Sequence, residues 1–165
     1  MGTNPTIKVC DGNMKNLKQS FTGEYVNTLD QKNRLSIPAK FRKALDPINE
    51  KTFVITRGFD RCLILYPVSE WNRVEGQLGK LSSMRKQHRD FVRSIVRHAT
   101  YLKYDNQGRV PIPENLLEFA SISKDVNVIG MISKIELWDS KLLSSEESSE
   151  KLPTDFEGLA DEINF

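Results

Sequence analysis

The stretch TLDQKNRLSIP, Thr28 to Pro38, returns 75 positions later as KYDNQGRVPIP, Lys103 to Pro113. Each copy holds an aspartate and an arginine separated by three residues, then an apolar residue, a spacer and Ile-Pro. A duplicated segment constrains topology more than any composition does, because it demands two copies of one supersecondary unit and a pseudo-twofold relation between them.

The residues around the repeat define that unit. Residues 24–29 and 35–37 alternate apolar and polar side chains, as short half-buried strands do. Pro38 then opens a helix in which Phe41 and Leu45 stand four apart on one face, and Asp46-Pro47 ends it. Two more strands follow, 52–56 and 62–66, around the turn-prone Arg57-Gly58-Phe59-Asp60, and Pro67 begins a second helix. The second half repeats the order: strand 100–104, loop 105–109, strand 110–112, a helix opened by Pro113, strands 126–131 and 134–138, then Asp139-Ser140-Lys141-Leu142. The predicted fold is α+β, with two tandem strand-loop-strand-helix-hairpin units in a pseudo-twofold β-rich core and added helices. Domain boundaries read as a flexible leader at 1–20, a first unit at 21–80, an inter-unit basic helix at 81–99, a second unit at 100–143 and an acidic, flexible tail at 144–165.

Three residues between Asp30 and Arg34 suit a tight connection in which the carboxylate accepts bonds from loop N–H groups, as in an Asx-turn. Asp30, Asn33, Asp105 and Gly108 are accordingly the loop-structuring residues, glycine tolerating the positive φ such a turn needs. Two readings stay open for Arg34 and Arg109. They staple the turn through a salt bridge, or they are presented at its rim to a ligand. Stapling alone does not explain why the first loop also carries Lys32 and is followed by Lys40, Arg42 and Lys43.

Charge is unevenly distributed along the chain. Between Asp30 and Arg109 there are 17 Lys and Arg against 8 Asp and Glu, a net +9, whereas residues 110–165 hold 4 against 12, a net −8. A basic body suggests a polyanion partner, unless folding brings the two regions together and cancels the field. No stretch approaches the roughly 20 apolar residues of a membrane span, and the N-terminus lacks the apolar core of a secretory signal. Cys10 and Cys62 have neither metal nor redox spacing and fit a reducing compartment. A cytoplasmic location is expected, without a membrane partner.

At this point the chain resembles the MraZ family of bacterial transcriptional regulators, within the AbrB-like, swapped-hairpin superfamily. The resemblance spans residues 21–142. It is carried by Phe21-Thr22-Gly23, Asp30-Gln31-Lys32-Asn33-Arg34-Leu35-Ser36-Ile37-Pro38, Leu63-Ile64-Leu65-Tyr66-Pro67 with Glu70-Trp71, Leu81-Ser82-Ser83-Met84, Asp105-Asn106-Gln107-Gly108-Arg109 and Glu136-Leu137-Trp138-Asp139. It implies two AbrB-like halves, a ring-shaped homo-oligomer and binding of repeated promoter sites in double-stranded DNA through the Asp-x-x-x-Arg loops, hence a nucleoid-associated regulator of its own operon in the division and cell-wall gene cluster. The expected DNA-binding residues are Lys32, Arg34, Lys40, Arg42 and Arg109. Asn33 stands where the family commonly has Gly.

Other features take the blander reading. Arg85, Arg89, Arg93 and Arg97 recur every four residues on a helix, forming a ridge read as a solvated face that pairs with Asp90 or a neighbouring subunit's acidic tail rather than as a DNA contact. His88 and His98 have no ligand set at metal spacing. No nucleophile with a base, metal set or phosphate-cradling glycine loop is present, so neither enzyme, cofactor nor small-molecule substrate is expected. The competing reading is a non-catalytic assembly or antitoxin-like protein of the same fold whose main partner is another protein.

Overall fold

The computed structural model describes residues 19–149 together with residues 159, 160 and 162. The first unit runs β1 (Phe21–Thr28), β2 (Arg34–Ser36), α1 (Ala39–Ala44), a 3-10 turn (Pro47–Asn49), β3 (Thr52–Arg57), β4 (Leu63–Pro67) and α2 (Val68–Leu78). A helix, α3 (Lys86–Val96), precedes the second unit, which repeats the order as β5 (Thr100–Lys103), β6 (Arg109–Pro111), α4 (Glu114–Phe119), β7 (Asp125–Ile132), β8 (Ile135–Asp139) and α5 (Ser140–Ser149). The leader lies outside the described residues except for 19 and 20. The tail segment 144–149 continues α5, which Asp139 caps by accepting from the Leu142 amide at 3.1 Å.

Prolines start the paired helices, one position earlier than the sequence suggests. Pro38 and Pro113 are the caps, with ψ of 137° and 136°, and each carbonyl accepts the amides of the third and fourth helical residues, Phe41 and Arg42 in one and Leu116 and Leu117 in the other. An extended cap continues the preceding strand, and the missing proline N–H leaves no helical bond unmade.

One antiparallel sheet has the order β1-β7-β8-β4-β3-β5, and β2 pairs separately with β6. Exchanging each strand for its repeat counterpart leaves that order unchanged, so the sheet is twofold. Register places the axis. Leu35 lies opposite Val110, its own counterpart 75 residues on. In the middle of the large sheet Ile64 lies opposite Glu136, its counterpart after the three-residue deletion in the second hairpin. A residue facing its own equivalent across an antiparallel pair is the signature of a twofold axis between the strands.

The same order shows that the units are interlocked. β1 pairs with β7 over eight residues, and β5 pairs with β3 over four, so each unit's first strand completes the other unit's hairpin. Side chains alternate across the sheet as strand geometry requires. Phe53, Ile55, Leu63, Leu65, Val126, Val128, Ile135 and Leu137 enter the main core with Leu35, Val110, Phe41 and Leu116 from the β2–β6 layer and its helices. Phe21 anchors β1 there, edge-on to the Phe41 ring at 5.7 Å. Val54, Ile64 and Tyr66 point to the other face, where Trp71 of α2 and Ile95 of α3 cover them. No described helix is long and apolar enough to cross a membrane.

Candidate nucleic-acid interface

The two Asp-x-x-x-Arg loops close by the same bonds. In the first, Asp30 Oδ1 accepts the amides of Lys32 and Arg34, both at 2.9 Å, and Asp30 Oδ2 accepts Arg34 Nε at 2.7 Å. In the second, Asp105 Oδ1 accepts the amides of Gln107 at 2.9 Å and Arg109 at 3.0 Å, and Oδ2 accepts Arg109 Nε at 3.1 Å. Backbone bonds match too, the Asp30 amide donating to the Arg34 carbonyl and the Asp105 amide to that of Arg109, each at 3.0 Å. The loops also brace one another, because Ile37 N donates to Gly108 O and Ile112 N to Asn33 O.

These bonds hold the aspartates ionised. The Arg34 amide keeps Asp30 below its ordinary value of 3.8; desolvation opposes it, and the Arg34 guanidinium and the Lys32 amide add to the lowering. Asp105 is lowered likewise, chiefly by the Arg109 amide. A carboxylate accepting several backbone N–H groups is stabilised in its charged form.

Stapling is therefore real, and it has a consequence for the arginines. The staple uses Nε alone. Among the described residues the Arg34 terminal nitrogens make no hydrogen bond, and the Arg109 Nη1 makes only a loose approach of 3.9 Å to Asp30 across the axis. With Nε fixed, each guanidinium presents its Nη pair, the fork that matches phosphate oxygens or a guanine edge.

Asn33 at φ 57° and Gly108 at φ 77° occupy the same left-handed position. Asn33 is exposed, its backbone bonded to Asp30 O and Ile112 N. Gly108 is buried beneath Arg42, whose Cζ would lie 2.6 Å from an added Cβ. Arg42 is held there by its Nε, which donates to Ile37 O at 3.0 Å. Fold symmetry thus brings Arg34, Arg42 and Arg109 to one neighbourhood, with Lys32 exposed on the first loop and Lys40 exposed on α1.

The fold is symmetric, but its charge is not. Residues 30–45 carry five cations and one aspartate, a net +4, whereas the equivalent 105–120 carry one arginine and three carboxylates, a net −2. Gln107, Asn115, Leu117 and Glu118 stand where the first unit has Lys32, Lys40, Arg42 and Lys43.

Strand exchange adds two residues that sequence reasoning did not single out. Lys124 O accepts the Leu29 amide at 2.9 Å, and Lys51 O accepts the Tyr104 amide at 3.0 Å. Each exposed lysine therefore sits at the start of the other unit's loop. The only signal was their equivalence in the repeat, which means nothing until the exchange is known. His88, by contrast, has a structural part, its Nδ1 accepting the Ser82 amide at 3.0 Å. Among the described residues no cluster of His, Cys, Asp or Glu could hold a metal ion. Cys62 is buried, and desolvation pushes its thiol up to about 12.

Interlocked twin units with paired loops on the axis define a duplicated swapped-hairpin protein of the AbrB-like class. Sequence comparison agrees in detail. Residues 20–94 and 95–155 each match the family model described as an antitoxin-like MraZ protein. A protein of Halothermothrix orenii named transcriptional regulator MraZ is 44% identical over 144 residues, covering 84% of this chain and 98% of that one. Proteins of the same name from Clostridium beijerinckii and Pediococcus pentosaceus are 41% and 39% identical, each covering 87% of this chain and 96% of the relative. The chain belongs to the MraZ family.

Proposed function

We propose that this chain is a sequence-specific DNA-binding transcriptional regulator, cytoplasmic and nucleoid-associated, that reads repeated promoter sites through its Asp-x-x-x-Arg loops. The observation that carries the reading is the pair of arginines held by equivalent bonds about a twofold axis, their Nε atoms tied to Asp30 and Asp105 and their Nη nitrogens left without a close hydrogen-bond partner among the described residues. Lys32, Lys40, Arg42 and Lys124 surround the first loop with positive charge and position it on phosphates. Arg34 is the main base reader and Arg109 the lesser one, since the second loop stands in an acidic setting. The name of the relatives, transcriptional regulator, supports this role, and autoregulation of a division and cell-wall operon is its finer form.

A short loop makes few contacts, so useful affinity requires several loops on repeated sites at high effective concentration. A ring-shaped homo-oligomer supplies that arrangement. No residue here is given a catalytic, cofactor-binding or metal-binding role.

A mobility-shift assay on fragments from upstream of the chain's own gene, run as a salt titration, tests the reading. Specific retardation whose log K falls linearly with log salt, at a slope of about −0.9 per phosphate neutralised, is expected. Absence of retardation even at low salt would sink it in favour of the antitoxin-like reading, in which the partner is a protein.

A further inference from the structure

Where α2 and α3 cover the β3–β4 hairpin, the packing leaves a cavity of about 640 Å³ that DNA reading does not use. Its walls include Ile64, Tyr66, Val74, Leu81 and Ile95, and Arg57 and Phe119 line it as well. Phe59 and Phe91 belong to the same lining and stack on one another, their centroids 6.1 Å apart and their planes 9° from parallel. Phe59 is 80% exposed, so this aromatic pair meets solvent at the cavity's boundary. Small-molecule sites have this size and this make-up, roughly 300–1,000 Å³ of apolar and aromatic wall with a few polar groups that orient the ligand.

The polar groups here are of one sign. Two arginines and no carboxylate line the cavity. Arg73 is already paired, its Nη2 lying 2.7 Å from Glu70 Oε1. Arg57 is not in that position. Its Nε is buried without a hydrogen-bond partner, and its guanidinium carbon lies 4.3 Å from the centroid of the Phe119 ring. A ring face attracts a cation but gives the in-plane N–H groups no lone pair to bond. A buried donor left unmade costs free energy, and a charge taken out of water costs more unless it is paired.

The repeat shows that the fold does not require this cost. Thr28 lies opposite Asp125, and its counterpart Lys103 lies opposite Thr52, so register makes Gly130 the counterpart of Arg57. Among the described residues the second unit also has no counterpart of α3. The second hairpin is therefore built with neither the cation nor the helix, and the arginine and its cavity are features of the first unit alone.

We propose that this cavity binds a small organic anion, with an aromatic or acyl body against Ile64, Tyr66 and Ile95 and a carboxylate on Arg57. A carboxylate supplies the planar pair of acceptors that a guanidinium matches. The site is separate from the Asp-x-x-x-Arg loops, so its test does not depend on DNA binding. The probes are naphthalene-2-carboxylate and its neutral isostere naphthalene-2-carboxamide, titrated into the full chain and followed by the side-chain methyl resonances of Val74, Leu81 and Ile95. The carboxylate should bind about tenfold tighter than the amide, as a hydrogen bond to a charged group implies. Arg57→Met should remove that preference while leaving the affinity for the amide unchanged, which shows that the cavity is intact. Arg57→Lys, which keeps the charge, should retain part of the preference. Equal binding of acid and amide, a preference that survives Arg57→Met, or no shift of these methyls at millimolar probe would overturn the proposal. Probe affinity that falls as protein concentration rises would overturn it in favour of a second copy as the occupant.

Discussion

Arg34 bonds to Asp30 and is proposed to contact DNA as well, and the two duties differ in what they cost when lost. The ion pair is about a third exposed, and surface pairs of this kind contribute roughly 0–1 kcal/mol. Leu35 beside it is wholly buried, and Leu→Ala in a core costs about 2–5 kcal/mol. At the left-handed position, Gly108→Ala should destabilise by about 1–3 kcal/mol in a thermal melt, from a strained φ and displacement of Arg42. An unchanged melting temperature would show that Arg42 is not fixed there. The aspartates give a pH signature. Both have lowered values, so the stabilisation they bring is complete above the ordinary 3.8 and is lost as pH falls through their folded values. Loop amides of residues 30–34 and 105–109 should lose exchange protection in that acid range in the unsubstituted chain. The variant Asp30→Asn/Asp105→Asn should lack this step; an identical acid transition in both would refute the assignment.

At the scale of elements the consequence of interlocking is cooperativity. Either matched segment alone lacks the strand its hairpin pairs with and exposes half of the main core. A fragment of residues 20–94 should therefore show no cooperative melt by circular dichroism, and adding residues 95–155 should restore one. A fragment that melted cooperatively as a monomer would contradict the exchange. The units themselves were legible in the sequence, because the strand periodicity, the prolines before α1 and α4 and the 75-residue offset are local signals. The exchange was not legible. A strand's pattern states which face is buried but not which hairpin it joins, and β1, mostly exposed after Phe21, reads the same beside β3 or β7. Lys51 and Lys124 stayed hidden for that reason. The reach of α5 to Ser149 was also missed, since serines and glutamates there read as tail, although Asp139 at its cap was the available clue.

Across the whole molecule a symmetric fold carries an asymmetric field, and that contrast sets what each half contributes to binding. Lys32→Ala should weaken binding to all sequences alike and reduce the salt slope by about one for each loop copy engaged, as a lysine on a phosphate does. Gln107→Ala in the equivalent position should leave the slope unchanged, and equal effects of the two would remove the distinction between the halves. The central claim is that Arg34 reads DNA from a loop it is not needed to hold together. The most direct measurement is specific affinity for upstream repeats in the Arg34→Ala variant, taken alongside its melting temperature and those of Leu35→Ala. Loss of one good bidentate contact is worth about 1–3 kcal/mol of base discrimination, so Arg34→Ala should lose specific binding while melting within about 1 kcal/mol of the unsubstituted chain. Melting as low as Leu35→Ala, with specific binding kept in the folded fraction, would contradict the account.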